Sequence, residues 1–227
     1  MRAKTAFVFD LDGTLVDSVY QHVLAWQEAL EQFGIRLSAW RIHRRVGMSG
    51  GLFVAALRRE IGEPVSPEDA GRLQQLHAEG YLRRIGEVRA LPGAKELLDA
   101  LTRSGVPWAI ATSAPRQSAA KGLEVLGVGE KATLITRQDV EHAKPDPDLF
   151  IAAAERLGIG VAHCVVVGDS VWDLLAARRA GALGVGLLSG GYGEDELIRA
   201  GSYRVYADPA DLLEHLDEVG VRQAFDA

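Results

Sequence analysis

In the stretch FVFDLDGTLVDS, residues 7–18, an apolar run ends in two aspartates two positions apart, Asp10 and Asp12. Residues at that spacing on a strand project to one side, so both carboxylates can face a common ligand while Leu11 turns into the core. Neighbouring carboxylates repel, and a divalent cation relieves the repulsion. Hard oxygen donors in an incomplete protein shell favour Mg²⁺, with water and a substrate phosphate filling the remaining positions. Asp169 in VVVGDSVWDLLAA can supply a third anion, and Asp173 follows one helical turn later on a similar face. Each aspartate also has a purely structural reading. Asp10 or Asp169 alone could cap a turn, and Asp173 is spaced to form a capping box with Ser170.

Two further segments carry groups suited to an anion. ATSAP puts Thr112 and Ser113 where a helix is expected to begin, so their hydroxyls and the free N–H groups of the first turn could receive a phosphate or serve as an N-cap. In HAKPDPDLF, Pro145 disfavours helical backbone at Lys144, and Asp146 and Pro147 look like the cap and first turn of the following helix. Lys144 is thereby held ahead of a helix, free to reach a neighbouring anion.

These groups need a frame, and the chain supplies one. The short apolar runs TAFVF, PWAIAT, ATLIT, HCVVVG, LGVGLL and YRVYA alternate with helical segments such as LPGAKELLDALTRSG. That rhythm predicts an α/β fold, a Rossmann-like parallel sheet with helices on both faces. Ligand sites in such sheets collect at the carboxyl ends of the strands, where the polar residues above fall. Residues 18–88 break the rhythm with four helix-like stretches, roughly 18–33, 38–46, 50–61 and 67–85, and no convincing strand. The expected division is an α/β core formed by 1–17 and 89–227, with a helical cap, 18–88, inserted after the first strand. The two crossings at one place in the sheet could act as a hinge pair.

Composition narrows the function classes. The chain of 227 residues is 48% apolar with a formal net charge of −6, which argues against a general binder of nucleic acid or of anionic membranes. Its single cysteine, Cys164, has no partner for an internal disulfide and sits in an apolar run, so a buried inert thiol is expected. The opening MRAKTAFVFD moves from two basic residues straight into a short strand, without the long apolar core and small-residue cleavage site of a secretory leader, and no apolar run reaches membrane-spanning length; a cytoplasmic protein is expected. The glycine cluster GVGLLSGGYG lacks the strand–Gly-x-Gly-x-x-Gly–helix order of a dinucleotide site and reads as a strand with a flexible exit.

The four segments, in this order and with a helical insert after the first, resemble the haloacid dehalogenase-like hydrolase superfamily, in particular its phosphoglycolate phosphatase and β-phosphoglucomutase branch. The resemblance covers nearly the whole chain, and DLDGTLVDS is a highly specific motif. It implies an aspartyl-phosphate mechanism in which Asp10 attacks phosphorus while Asp12 protonates the leaving oxygen and then helps activate water. It also implies Mg²⁺ held by the Asp10 carboxylate, the Asp12 carbonyl and Asp169, with Asp173 supporting the metal shell. Thr112 and Lys144 would contact the phosphoryl group, and Ser113 would be a further ligand contact. Gly13 would let the backbone turn closely around the phosphate.

The expected activity is hydrolysis of a small phosphomonoester by a monomer, with a dimer as the alternative. A sugar phosphomutase is the runner-up, since His22 stands where those relatives use a cap histidine. Gly50 in VGMSG occupies the place of their arginine and weakens that reading. Dehalogenases of the family lack an equivalent of Asp12, because a departing halide needs no proton. A noncatalytic phosphate-binding regulator would be expected to lack the nucleophile or a metal carboxylate, and both are present.

Overall fold

The computed structural model describes residues 5–61, 66–129 and 132–221. The chain opens with β1 (Ala6–Phe9), followed by a two-residue strand β2 (Val16–Asp17) and then by four helices: α1 (Val19–Glu31), α2 (Ala39–His43), α3 (Gly50–Ile61) and α4 (Pro67–Arg84). A second two-residue strand, β3 (Arg89–Ala90), returns to the sheet region. The remainder alternates: α5 (Ala94–Arg103), β4 (Trp108–Ala111), α6 (Arg116–Leu126), β5 (Thr133–Ile135), α7 (Asp148–Leu157), β6 (Cys164–Gly168), α8 (Val171–Ala180), β7 (Leu183–Leu187), α9 (Glu194–Ala200), β8 (Ser202–Tyr206) and α10 (Pro209–Glu214).

All six expected strands lie in one sheet of order β5-β4-β1-β6-β7-β8, and every pairing is parallel. The strand order reverses at β1: the next two core strands stack on one side of it and the last three on the other. Such a reversal opens a crevice at the carboxyl edge, because the connections on either side diverge there. The strand's period of two sets both faces. Phe7 and Phe9 join Leu97, Leu98 and Leu101 in one apolar cluster, whereas Ala6 and Val8 meet Leu149, Phe150 and Ala153 on the opposite face. Leu11 is buried in the first of these clusters, as its alternation with Asp10 and Asp12 requires.

The four inserted helices gather their own apolar cluster, which includes Val23, Trp26, Leu30, Phe53, Leu57 and Leu73. Ala25 and Tyr81 belong instead to the main core and tie α1 and α4 to it. Helix α4 starts as its sequence dictates: Ser66 accepts the Asp69 N–H at 3.0 Å, and Pro67 occupies the first turn, where a missing donor costs nothing. β2 and β3 pair antiparallel, Val16 with Ala90 and Asp17 with Arg89, at the two places where the chain enters and leaves the insert. Two residues are too few for alternation to register in sequence, and this ribbon was not expected. Cys164 is buried and unpaired, and burial pushes its thiol above the usual range. Among the described residues no helix is long and apolar enough to cross a membrane.

One glycine outside the crevice is demanded by both backbone and space. Gly93, which precedes α5, has φ +73°, and a Cβ there would lie 2.4 Å from the Ala210 Cα of α10. Gly93→Ala combines left-handed strain with backbone overpacking, so it is expected to cost about 2–4 kcal/mol. Urea unfolding checks this; a midpoint equal to that of the wild type would mean that α5 and α10 separate without penalty.

Candidate active site

The sheet brings the sequence-distant carboxylates together. Asp10 continues β1, and its N–H donates to the Val167 carbonyl of β6 at 2.9 Å, so Asp10 and Asp169 leave adjacent strands side by side. Helix α8 starts directly after Asp169 and turns Asp173 back toward it. The Ser170 N–H and hydroxyl donate to Asp173 Oδ2 at 3.1 and 2.5 Å, so the predicted capping contact and the placement of Asp173 in the acidic cluster coexist. Oxygens of Asp10, Asp169 and Asp173 all lie within 4.8 Å of one another, and all three residues are buried.

Lys144 is fully buried and donates from Nζ to Asp10 Oδ1; the same ammonium lies 2.7 Å from Asp173 Oδ1. Its place follows from the turn ahead of α7. That helix begins at Asp148 with Pro147 as its cap, one residue later than the sequence suggested. Burial would lower Lys144, but Asp10 and Asp173 hold it above the usual lysine range, so it is charged. Burial also raises Asp10, to about 7, with Lys144 opposing and Asp173 and Asp12 adding to the rise. Asp169 is pushed well above its ordinary value by burial and then by Asp173 and Asp10. If all were ionised, three carboxylates against one ammonium would leave two uncompensated negative charges in a site with little access to water. This donor set fits a hard divalent cation, whose charge would balance the remainder and favour the ionised forms of Asp10 and Asp169.

Glycines make room for the cluster. Gly13, at φ +84°, would place a Cβ 2.6 Å from Asp169 Oδ2, and a Cβ on Gly190 would lie 1.7 Å from the same oxygen. Gly13 therefore serves the approach of Asp169. Thr14, missed in the sequence reading although it lies within the DLDGT motif, donates its hydroxyl to Asp169 Oδ1 at 2.9 Å. The segment after β7 was expected to be a flexible exit. It is tied down instead: Ser189 donates to the Gly13 carbonyl at 2.6 Å, and His43 Nε2 donates to the Gly190 carbonyl at 2.7 Å.

Asp12 takes a different direction. Its carboxylate lies outside the three-aspartate cluster and turns toward the inserted helices, where the Ser18 hydroxyl donates to Oδ1 at 2.6 Å and His22 Nε2 lies 3.3 Å from the same oxygen. Burial would raise Asp12, but His22 and Ser18 together hold it below its usual range. Thr112 is buried beside β1, its hydroxyl accepting the Ala114 N–H at 3.0 Å. Helix α6 begins only at Arg116, so neither Thr112 nor Ser113 is its N-cap. The Ser113 hydroxyl donates to the Gly47 carbonyl at 3.1 Å and so joins the core to the insert.

Other contacts seat the α2–α3 segment over the crevice. The Ser49 N–H donates to the Lys144 carbonyl at 3.3 Å, and Trp172 Nε1 and the Tyr192 hydroxyl both donate to the Arg44 carbonyl, at 3.3 and 3.0 Å. The Arg44 guanidinium pairs with Glu196 of α9 through both nitrogens. Between insert and core remains a cavity of about 410 Å³, whose lining includes Asp10, Asp12, His22, His77 and Thr112 together with Arg45, Gly50 and Arg137.

Fold and crevice together define an α/β enzyme that gathers carboxylates at the carboxyl edge of a parallel sheet beneath a helical insert. The chain belongs to the haloacid dehalogenase-like hydrolase family, whose model matches residues 4–181. It is 35% identical over 200 residues to a phosphoglycolate phosphatase of Neisseria meningitidis serogroup A, covering 85% of this chain and 83% of the relative. It is 33% identical over 184 residues to hexitol phosphatase A of Escherichia coli, covering 80% and 81%. The crystal structure of a hydrolase from Pseudomonas syringae superposes with a TM-score of 0.94 at 53% identity, covering 96% of this chain and 100% of that one. The family expected from the motifs is thus the family found, and both relatives are phosphatases.

Lys144→Met keeps most of the side-chain volume and deletes the charge. Removing one partner of a buried pair typically costs roughly 3–5 kcal/mol. Because the stranded carboxylates can take up protons, the lower end, about 3 kcal/mol, is expected in chelator-treated protein, measured by urea unfolding. An unchanged midpoint would show that the ammonium does not balance the buried anions.

Proposed function

We propose that the protein is a Mg²⁺-dependent phosphomonoester hydrolase that acts on a small phosphorylated metabolite through an aspartyl-phosphate at Asp10. The observation that carries this reading is the Asp10–Lys144–Asp173–Asp169 cluster opening, through Asp10, into a cavity that also holds Asp12. Asp10, Asp169 and Asp173, with the Asp12 carbonyl, would hold the cation, which when bound supplies charge neutralisation for an anionic phosphate. Phosphoryl transfer demands chiefly positioning and neutralisation of oxygens, and the residues divide that work. A carboxylate oxygen of Asp10 forms the new bond to phosphorus as the bond to the leaving oxygen breaks. Asp12 gives that oxygen a proton. Water then attacks the aspartyl-phosphate, loses its proton to Asp12 and releases phosphate with Asp10 restored.

In the resting protein Asp12 is held in its ionised form, which suits the water step; the negative charge of an entering phosphate raises neighbouring carboxylates and favours the acid form for the first step. Lys144 fixes Asp10, and Thr112 and Gly13 stand beside the place a phosphoryl group would take.

In this reading residues 1–17 and 89–227 form the catalytic core and residues 18–88 a cap that meets the organic part of the substrate through His22, Arg45 and their neighbours. Gly50 lines the cavity without a side chain, which supports a hydrolase over a mutase that must hold a sugar phosphate for return transfer. The acidic balance of the chain supports a small-molecule partner over nucleic acid or a membrane. A monomer working in the cytoplasm completes the proposal.

The test is turnover of a metabolite panel containing phosphoglycolate, a hexitol phosphate and a hexose phosphate, with para-nitrophenyl phosphate as control. Mg²⁺ is expected to be required, and chelation to abolish turnover of every ester; full turnover without metal would overturn the reading. Asp10→Asn is expected to lower kcat by at least about a thousandfold for all substrates and to trap no phospho-enzyme, because a carboxamide is a poor nucleophile. A phosphate label retained at the wild-type level would place the nucleophile elsewhere.

A further inference from the structure

Beside His22, on the wall of the same cavity, lies an arrangement that the reaction scheme does not use. His22 Nδ1 and His77 Nε2 are 3.1 Å apart and share one hydrogen bond between α1 and α4. The His22 ring lies flat on Tyr81, centroids 3.9 Å apart and planes 3° from parallel; His77 stacks on Trp26 at 4.1 Å, and Trp26 in turn on Phe53 at 4.0 Å. Stacking fixes the plane of a ring but not which edge faces which way. An imidazole turned by half a rotation about Cβ–Cγ keeps its stack on Tyr81 while presenting carbon where nitrogen had been. Turned in that way, His22 would offer Cε1 to Asp12 and Cδ2 to His77. The orientation that satisfies Asp12 is therefore the one that also satisfies His77.

We infer that His77 is a positioning residue: its hydrogen bond to His22 Nδ1 locks the imidazole so that Nε2 faces Asp12 and holds that carboxylate toward the leaving oxygen. The inference rests on the acid–base role proposed for Asp12. His77 lines the cavity beside His22 but bonds to His22 rather than to Asp12, and in this reading it acts through His22. Burial, then the charge of His22, keep His77 well below the usual imidazole range, so it is a neutral ring whose Nε2 can accept or donate as His22 requires. The Trp26–Phe53 stack behind it holds His77 in place.

Two substitutions separate the hydrogen bond from the packing. His77→Phe keeps a ring on Trp26 and loses the bond; His77→Gln loses the ring and places an amide near the position of Nε2. Each is assayed by kcat/KM with para-nitrophenyl phosphate, whose phenolate departs without a proton, and with whichever of phosphoglycolate, a hexitol phosphate and a hexose phosphate the wild type cleaves fastest, whose alkoxide needs one. General acids contribute about a hundredfold or more to such steps. His77→Phe is expected to lower the alkyl ester's kcat/KM at least about tenfold and the aryl ester's by less than about threefold, and His77→Gln to recover most of the alkyl loss. Equal losses for both esters, a wild-type alkyl rate in His77→Phe, or a Gln variant no better than Phe would overturn the inference. A wild type that cleaves no ester overturns the hydrolase reading and this inference with it. The bond itself is read without any variant, by nitrogen–nitrogen coupling between the His22 and His77 rings in magnetic resonance; both rings resolved with no coupling would also overturn it.

Discussion

An ammonium buried between carboxylates is the interaction on which the rest of the molecule depends. Lys144 would be costly at zero exposure without partners, and Asp10 and Asp173 would repel each other without Lys144. The two requirements can be met together only if three separate pieces of chain converge: the end of β1, the turn ahead of α7 and the first turn of α8. The parallel sheet brings the ends of β1 and β6 together, and the turn ahead of α7 carries the lysine to them. Glycine at positions 13 and 190 then lets the backbone close around Asp169 where any side chain would collide. The site is thus closely packed around Asp169, while Asp10 faces a cavity that insert and core line together.

That asymmetry explains how the insert is attached. The α2–α3 segment reaches the core through main-chain acceptors, with the carbonyls of Arg44 and Gly47 taking bonds from Trp172, Tyr192 and Ser113. The Arg44–Glu196 pair is partly exposed on both sides and contributes modestly, about 1 kcal/mol at most. A seam of this kind aligns the α2–α3 segment on the core through polar contacts. Tyr81 and Ala25 provide the apolar continuity, and Tyr81 also supports the ring that faces Asp12.

The sequence made the core side legible because its chemistry is local. Asp10, Asp12 and Asp169 follow short continuous apolar runs that read as buried strands, and Asp173 comes one helical turn after Asp169, so their place at one sheet edge follows from the fold class. Lys144 could be placed because Pro145 restricts the backbone before it. The other half of the site rests on pairs distant in sequence. Thr14 and Asp169 are 155 positions apart, and His22 and His77 are 55 apart on two helices whose faces could be guessed but whose relative rotation could not. His77 lies one turn from Leu73 and Tyr81, which hinted at an inward face, yet an isolated helix pattern says nothing about which ring it meets. Ser113 combines both kinds of information. Its motif fits an anion and it lines the cavity, while its hydroxyl also donates to the Gly47 carbonyl, a contact that local sequence gives no reason to expect.

The ribbon of β2 and β3 has a consequence for how such a molecule can change over generations. Because Val16 pairs with Ala90 and Asp17 with Arg89, the chain leaves for the helical insert and returns from it at neighbouring points. To the sheet, the whole excursion has the end-to-end span of a tight turn, whatever its length or content. The entropy of closing so long a loop grows only slowly with its length, so insertions, deletions or wholesale exchange within it would cost the core little. The buried charges beneath depend on one another, while the parts of the segment above that make no contact with the core are less constrained. One scaffold can in this way keep a fixed reaction and acquire new substrates by grafting.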